Sequence, residues 1–269
     1  MRDKKKLRLL RAVLLVITIA CLLPVGRSCC LSVVHERQQR ELKNLKGKTG
    51  GGMAPAGNTE GTEGAAKEEA DSGGLLVSAE LAGLYEDNSD LVGWLAVEGT
   101  DIDYPVVQCE DDEFYLSHNF RQENDRYGCL YVKSIADVNT PGTNFIIYGH
   151  HMKDGSMFGG LDKYDSESYF RNHRLVSFNT LYEERVYEIM AVFQTWIPED
   201  DKDGGFRYYQ FYQADTEKEF RDFYENVMAL SIYDTGVTAE FGDTFLTMST
   251  CSSHAENGRF VVVAKRVAK

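Results

Sequence analysis

Between Asp101 and Val267 the chain passes through seven short apolar or alternating runs: DIDYPVVQ, GCLYVKS, NFIIYGH, RLVSFN, RVYEIMAVFQT, DTFLTMST and RFVVVAKRV. Gly, Asp and Asn break them apart, and the pattern sets in after DLVGWLAVEGT. Many short strands at such spacing predict a mainly β fold, a barrel or sandwich, and argue against a parallel α/β sheet. One clear helix interrupts them. DTEKEFRDFYENVMAL places Phe220, Phe223, Tyr224 and Val227 on one face, and Thr216 with Glu219 forms a capping box before it. SESYFRNH reads as a second, short helix, and SAELAGLYEDN as another, with Leu81 and Leu84 at helical spacing and Ser78 as its N-cap. The folded domain is set at residues 75–269.

The chain before it is of another kind. Lys4, Lys5, Lys6, Arg8 and Arg11 precede an apolar run from Ala12 to about Gly26, and CCLSVV resumes the apolar character after Arg27 and Ser28. The uninterrupted run is shorter than the roughly 20 residues of a full span. No small-x-small cleavage site stands clear of Arg27. Residues 1–34 are therefore read as a cytoplasmic basic start and a transmembrane signal-anchor rather than a cleaved signal peptide, with everything beyond on the outer side. HERQQRELKNLK is a polar juxtamembrane helix, and the Gly/Ala/Glu/Thr-rich stretch to residue 74 is a flexible spacer, so that 35–74 carries a folded domain away from the membrane.

Charge follows the same division. Residues 1–50 hold twelve Lys/Arg against three Asp/Glu, and the remainder holds seventeen against 39, a net −22 for residues 51–269. An acidic body excludes nucleic acid as the main partner. Only Cys109, Cys129 and Cys251 lie in the exported part, an odd number, so at least one thiol is outside any intrachain disulfide there.

Cys251 can be a core residue, half of a disulfide, a metal ligand or a nucleophile. In DTFLTMST alternation puts Phe245, Thr247, Ser249 and Cys251 on one face, with the thiol at the strand's end, where side chains leave the core. The loop SSHAENG leads into a strand that opens with Arg259, and a hairpin would bring this guanidinium beside the thiol, where it favours thiolate and can donate to a developing oxyanion. Of His118, His150, His151, His173 and His254, His150 ranks first as the imidazole a nucleophilic thiol needs, because it closes the strand NFIIYGH. His151 points the other way, His254 sits on a loop, and His118 and His173 lie in polar surface contexts. Cys251 and His254 have the spacing of a ligand pair, but a second close cysteine pair is missing, so no metal is assigned. No glycine loop has phosphate-cradling spacing.

TMSTC followed by GRFVVVAKRV, with IIYGHHMKDGSMFGGLDKY upstream, resembles the sortase family, and most of all its class B branch. The family signature is a TLxTC strand end, a histidine closing an earlier strand and an arginine opening the strand after the cysteine. Met248 stands where leucine is usual, a volume-conserving change. DLVGWLAVEGTDIDYPVVQ, DDEFYLSHNF and the helix inserted between the late strands also resemble class B sortases, and the similarity covers about residues 78–267. It implies a closed β-barrel of about eight strands with peripheral helices. It also implies a cysteine transpeptidase of the Gram-positive cell envelope, anchored by a single N-terminal span, with its catalytic domain outside. Cys251 would cleave a C-terminal sorting signal of the NPxTN or xPxTG type through a thioester and pass the acyl group to an amine of peptidoglycan or of a pilin. His150 would serve as general acid and base and Arg259 as oxyanion donor, with Ser249 and Leu116 lining the substrate groove. Asp112 stands where the family often has asparagine. No cofactor is implied. Two other classes of function compete: a membrane-tethered cysteine peptidase that only hydrolyses, and a non-enzymatic wall-binding module.

Overall fold

The computed structural model describes residues 31–47, 77–198, 206–251 and 257–267. The chain divides into two compact units, Met1–Leu45 and Lys46–Lys269. In the first, a helix α1 covers residues 31–45. It carries exposed Arg37–Glu41 and Arg40–Glu36 pairs at i,i+4 spacing, each worth only about 0.3–0.5 kcal/mol. Among the described residues no helix is long and apolar enough to cross a membrane. The apolar run assigned to the anchor lies outside the described residues, as does the spacer from residue 48 onward.

The second unit is a closed eight-stranded barrel. Its strands are β1 (Leu91–Val97), β2 (Asp103–Val107), β3 (Leu130–Tyr131), β4 (Asn144–Gly149), β5 (Leu175–Thr180), β6 (Val186–Trp196), β7 (Phe245–Cys251) and β8 (Gly258–Arg266). Around the barrel they run β1-β2-β3-β4-β7-β8-β6-β5. All neighbours are antiparallel except β2–β3 and β4–β7. Closure leaves no free sheet edge to manage. The seven runs read from the sequence form β2 to β8. The eighth strand, β1, escaped that reading because Gly93 breaks its apolar run in mid-strand, where a Cβ would lie 2.6 Å from the Asn179 carbonyl oxygen. On it, Trp94 is 1% exposed and its indole N–H donates to Asp103 Oδ1 at 2.6 Å.

Among the described residues three helices decorate the barrel: α2 (Ala82–Asp87), α3 (Glu167–Asn172) and α4 (Glu217–Leu230). Leu81 and Leu84 are buried as their spacing predicts, but Ser78 does not cap α2. Leu81 occupies the cap position, and the Ser78 carbonyl instead accepts from the N–H groups of Leu81 and Ala82. The capping box of α4 forms as read, with Thr216 accepting from Glu219 N–H and Glu219 from Thr216 N–H.

Alternation divides β7 cleanly. Leu246 and Met248 join Phe145, Ile147, Val262 and Ala264 inside the barrel. Phe245 faces outward, yet it too is buried, because α4 lies over that side with Phe220 and Phe223. Their rings pack on Phe245 with centroids 5.4 and 5.6 Å apart. Each such ring contributes about 1.5–3 kcal/mol by burial. The cover stops before the strand does: every residue of β7 is buried except Cys251, which is exposed.

Candidate active site

Strands β4 and β7 run parallel with Gly149 opposite Thr250. The Thr250 hydroxyl donates to the Gly149 carbonyl at 2.7 Å and ties the two strand ends together. The next residues along the two strands are His150 and Cys251. On the other side of β7, antiparallel β8 sets Arg259 directly opposite Cys251. Leu246, Met248 and Ile147 point into the barrel, so Cys251 and Arg259 face outward, and His150 continues the outward set Asn144, Ile146 and Tyr148. His150, Cys251 and Arg259 thus start from one row on three neighbouring strands, spaced about 4.8 Å apart. Gly149 permits this arrangement. A Cβ there would lie 2.4 Å from Leu130 Cδ2 and 2.9 Å from Phe158 Cδ2.

The half-buried His150 ring is held at one nitrogen. Nε2 lies 2.7 Å from the Leu116 carbonyl oxygen. A carbonyl only accepts, so Nε2 carries the hydrogen and Nδ1 is the nitrogen left to exchange protons. The His150 backbone is held too, its carbonyl accepting from Phe158 N–H at 3.0 Å. Arg259 is half-buried, and its Nη1 donates to its neighbour's carbonyl at Gly258, 2.9 Å away.

The other described histidines of the barrel unit are engaged elsewhere. His151 Nε2 lies 2.5 Å from Asp162 Oδ2. His118 and His173 are not loose surface groups, as their polar surroundings implied, but half-buried and bonded. His118 stacks on Phe114 at 4.1 Å with Nδ1 2.8 Å from the Phe114 carbonyl, and His173 Nδ1 sits 2.9 Å from the Glu98 carbonyl. His254 lies outside the described residues.

Two groove residues named from the resemblance behave differently from each other. Leu116 ends the 3-10 turn Phe114–Leu116 with its side chain exposed and its carbonyl on His150. Ser249 is 1% exposed, and its hydroxyl is 2.7 Å from that of Tyr208, itself 1% exposed. Ser249 therefore holds Tyr208, which lies in the stretch between β6 and α4. The Tyr208 contact was invisible in the sequence, since no spacing relates residues 208 and 249. Burial pushes the Tyr208 phenol up to about 12, so it stays a neutral hydrogen-bonding group. Asp112, the family's frequent asparagine, accepts from Ser134 N–H at 2.7 Å and pins the loop beside the site.

All three described cysteines are free. Cys129 is buried, which pushes its thiol up to about 12. Burial also raises Cys109. Cys251 alone is exposed. Among the described residues no group of three or more His, Cys, Asp or Glu could hold a metal ion.

Comparison with known proteins joins this geometry to a lineage. The Sortase domain family matches residues 95–267. Sortase B of Listeria monocytogenes is 36% identical over 200 residues, covering 72% of this chain and 76% of that protein. The crystal structure of sortase B from B. anthracis in complex with AAEK1 superposes with a TM-score of 0.64 at 35% identity, over 72% of this chain and 86% of that one. A Staphylococcus aureus sortase B–substrate complex gives 0.64 at 27% identity, over 71% and 86%. With most of the barrel inside that match and an exposed cysteine between a histidine and an arginine at its rim, the chain belongs to the sortase family of cysteine transpeptidases, on the class B branch.

Proposed function

We propose that this sortase anchors secreted proteins by cleaving a C-terminal sorting signal of the NPxTN or xPxTG type with Cys251 and transferring the new acyl end to an amine of peptidoglycan or of a pilin. The observation that carries the reading is the single outward row His150, Cys251, Arg259, open at the point where the cover of β7 ends. His150 Nδ1 takes the proton of the Cys251 thiol, the thiolate attacks the threonine carbonyl carbon, an S–C bond forms, and the carbonyl electrons move to oxygen. Arg259 donates to that oxyanion. The C–N bond then breaks as His150 Nδ1 gives its proton to the departing amine, leaving a thioester. An incoming amine attacks the thioester, returns a proton to Nδ1 and expels the thiolate. The Leu116 carbonyl keeps Nε2 occupied throughout and so fixes which nitrogen takes part. The sortase B–substrate complex among its relatives supports a peptide partner.

In the same reading the N-terminus is cytoplasmic, the apolar run spans the membrane once, and the barrel works on the outer side. The basic cluster before that run supports this placement, and residues 1–30 lie outside the described set.

The test is product analysis by mass spectrometry with NPxTN and xPxTG peptide libraries, with and without an added amine. Thioester formation and amine-bearing product are expected with the parent and neither with Cys251→Ala. Hydrolysis that continues undiminished with no amine in any product would sink the transferase reading. Activity retained by Cys251→Ala would sink the nucleophile.

A further inference from the structure

The Leu116 carbonyl that seats His150 is itself held in place by buried residues behind it. This carbonyl belongs to a single 3-10 turn, Phe114–Leu116. A lone turn is too short to hold a carbonyl by its own hydrogen bonds. Here Tyr115 anchors it. The Tyr115 side chain is 1% exposed and its hydroxyl ends in a polar cluster beneath the turn. That hydroxyl donates to Asp90 Oδ2 at 2.7 Å and accepts from Asn88 Nδ2 at 2.9 Å. Asn88, 5% exposed, also donates to the Phe120 carbonyl at 2.7 Å, and its Oδ1 accepts from Asp90 N–H at 3.0 Å. Gln122 Nε2 approaches Asp90 Oδ2 at 3.3 Å from a backbone held at φ +62°.

A second constraint acts on the same turn from the opposite direction. The Tyr115 carbonyl accepts from Cys129 N–H at 3.0 Å. Gly128, just before it, has φ +61°, and a Cβ there would lie 2.4 Å from the Tyr115 oxygen, 3.1 Å from the Leu116 oxygen and 3.3 Å from His150 Cδ2. No L side chain fits that position without moving the Tyr115–Leu116 backbone, the ring or both.

We infer that Tyr115, held by Asn88 and Asp90, and Gly128 are positioning residues that set the Leu116 carbonyl against His150 Nε2 and thereby keep Nδ1 as the nitrogen facing the reaction. The inference rests on the acid–base reading of His150 for its effect on rate, but the ring's hydrogen placement is a property of the free enzyme and is measurable by itself. The carbonyl selects one of two neutral tautomers. Loosening it lets the hydrogen move to Nδ1, where the ring can no longer accept from the amine.

The experiment compares the parent with Tyr115→Phe, Gly128→Ala and, as a conservative control, Asp90→Asn, which keeps an acceptor for the phenol. Folding is checked by circular dichroism. The His150 ring is followed by 15N NMR of histidine-labelled protein, assigned with His150→Ala, and turnover is measured with the fluorogenic library peptide best cleaved by the parent. The parent is expected to show His150 as the Nε2–H tautomer. Folded Tyr115→Phe and Gly128→Ala are expected to show a mixture and to lose on the order of 10–100-fold in kcat, up to what a misplacement of about 1 Å costs, with KM unchanged within about 2-fold. Asp90→Asn is expected to stay near the parent on both counts. Parent-like tautomer and kcat in both folded variants would overturn the inference. If Tyr115→Phe does not fold, Gly128→Ala decides by the same two readouts. If His150→Ala itself keeps parent turnover, the acid–base reading fails, and the tautomer spectra still decide whether these residues position the ring.

Discussion

The Ser249–Tyr208 contact makes a prediction that separates burial from substrate contact. Both side chains are 1% exposed and their hydroxyls lie 2.7 Å apart. Ser249→Ala removes one partner and leaves the Tyr208 hydroxyl buried without the other. That costs about 1–3 kcal/mol. For a domain of this size each kcal/mol moves the melting temperature by about 2–4 °C, so a loss of ~2 kcal/mol lowers Tm by roughly 4–8 °C. Tyr208→Phe leaves only the smaller Ser249 hydroxyl unpaired and is expected to cost less. The double variant replaces both partners by apolar groups, which approaches neutrality. Its ΔΔG is therefore expected to fall short of the sum of the singles by about 1 kcal/mol or more, the interaction energy of a contacting pair. Urea unfolding of the four proteins, with peptide KM measured alongside, checks this. Additive ΔΔG values, with an unchanged Tm but a raised KM in Ser249→Ala, would refute the reasoning and return Ser249 to direct contact with the peptide.

Removing the guanidinium in Arg259→Ala is expected to lower kcat by about 10²–10³-fold, the loss of one oxyanion donor. Its folding should be unchanged, since the side chain bonds within the described structure only to the Gly258 carbonyl. Arg259→Lys should recover part of that loss, because an ammonium is a point charge without the planar fork; full recovery would argue for charge alone. Phe223→Ala opens a hole between α4 and Phe245 and is expected to cost about 3–5 kcal/mol in urea unfolding, with Cys251 still reactive until the protein unfolds. Iodoacetamide labelling followed by peptide mapping should find Cys251 first. A raised thiol pKa keeps the sulfur protonated, so native Cys129, pushed up to about 12 by burial, should label only after unfolding. Cys109, also raised, should label only as pH climbs past the ordinary thiol range.

The barrel was legible from its strands as short apolar runs bounded by Gly, Asp and Asn; burial alternates fully only in β5, while β2, β4, β7 and β8 are mostly buried on both faces. DTFLTMST gave its two faces correctly, with Leu246 and Met248 inward. β1 was not legible because Gly93 interrupts LVGWLAV in mid-strand, where it lets the Asn179 carbonyl approach. The cap of α2 failed because Ser78 lies one turn too early and spends its carbonyl, not its hydroxyl, on the first amides. At the site, parity along NFIIYGH separates His150 from His151. The sequence could not show that Leu116, Tyr115 and Gly128 meet at that ring, because they arrive from β-barrel neighbours and no periodicity links them.

Where the chemistry sits follows from two features of the outer face. The parallel pairing of β4 and β7 joins strands whose tied ends are 101 residues apart, so a histidine and a cysteine far apart in sequence finish side by side. The long excursion between them then returns α4 and the stretch around Tyr208 to the same face. They bury Phe245, Thr247 and Ser249 and leave Cys251 outside. The open site is therefore the remainder of a packed interface, one row deep, and its reactivity depends on how far the hydrophobic cover extends as much as on the three side chains in the row.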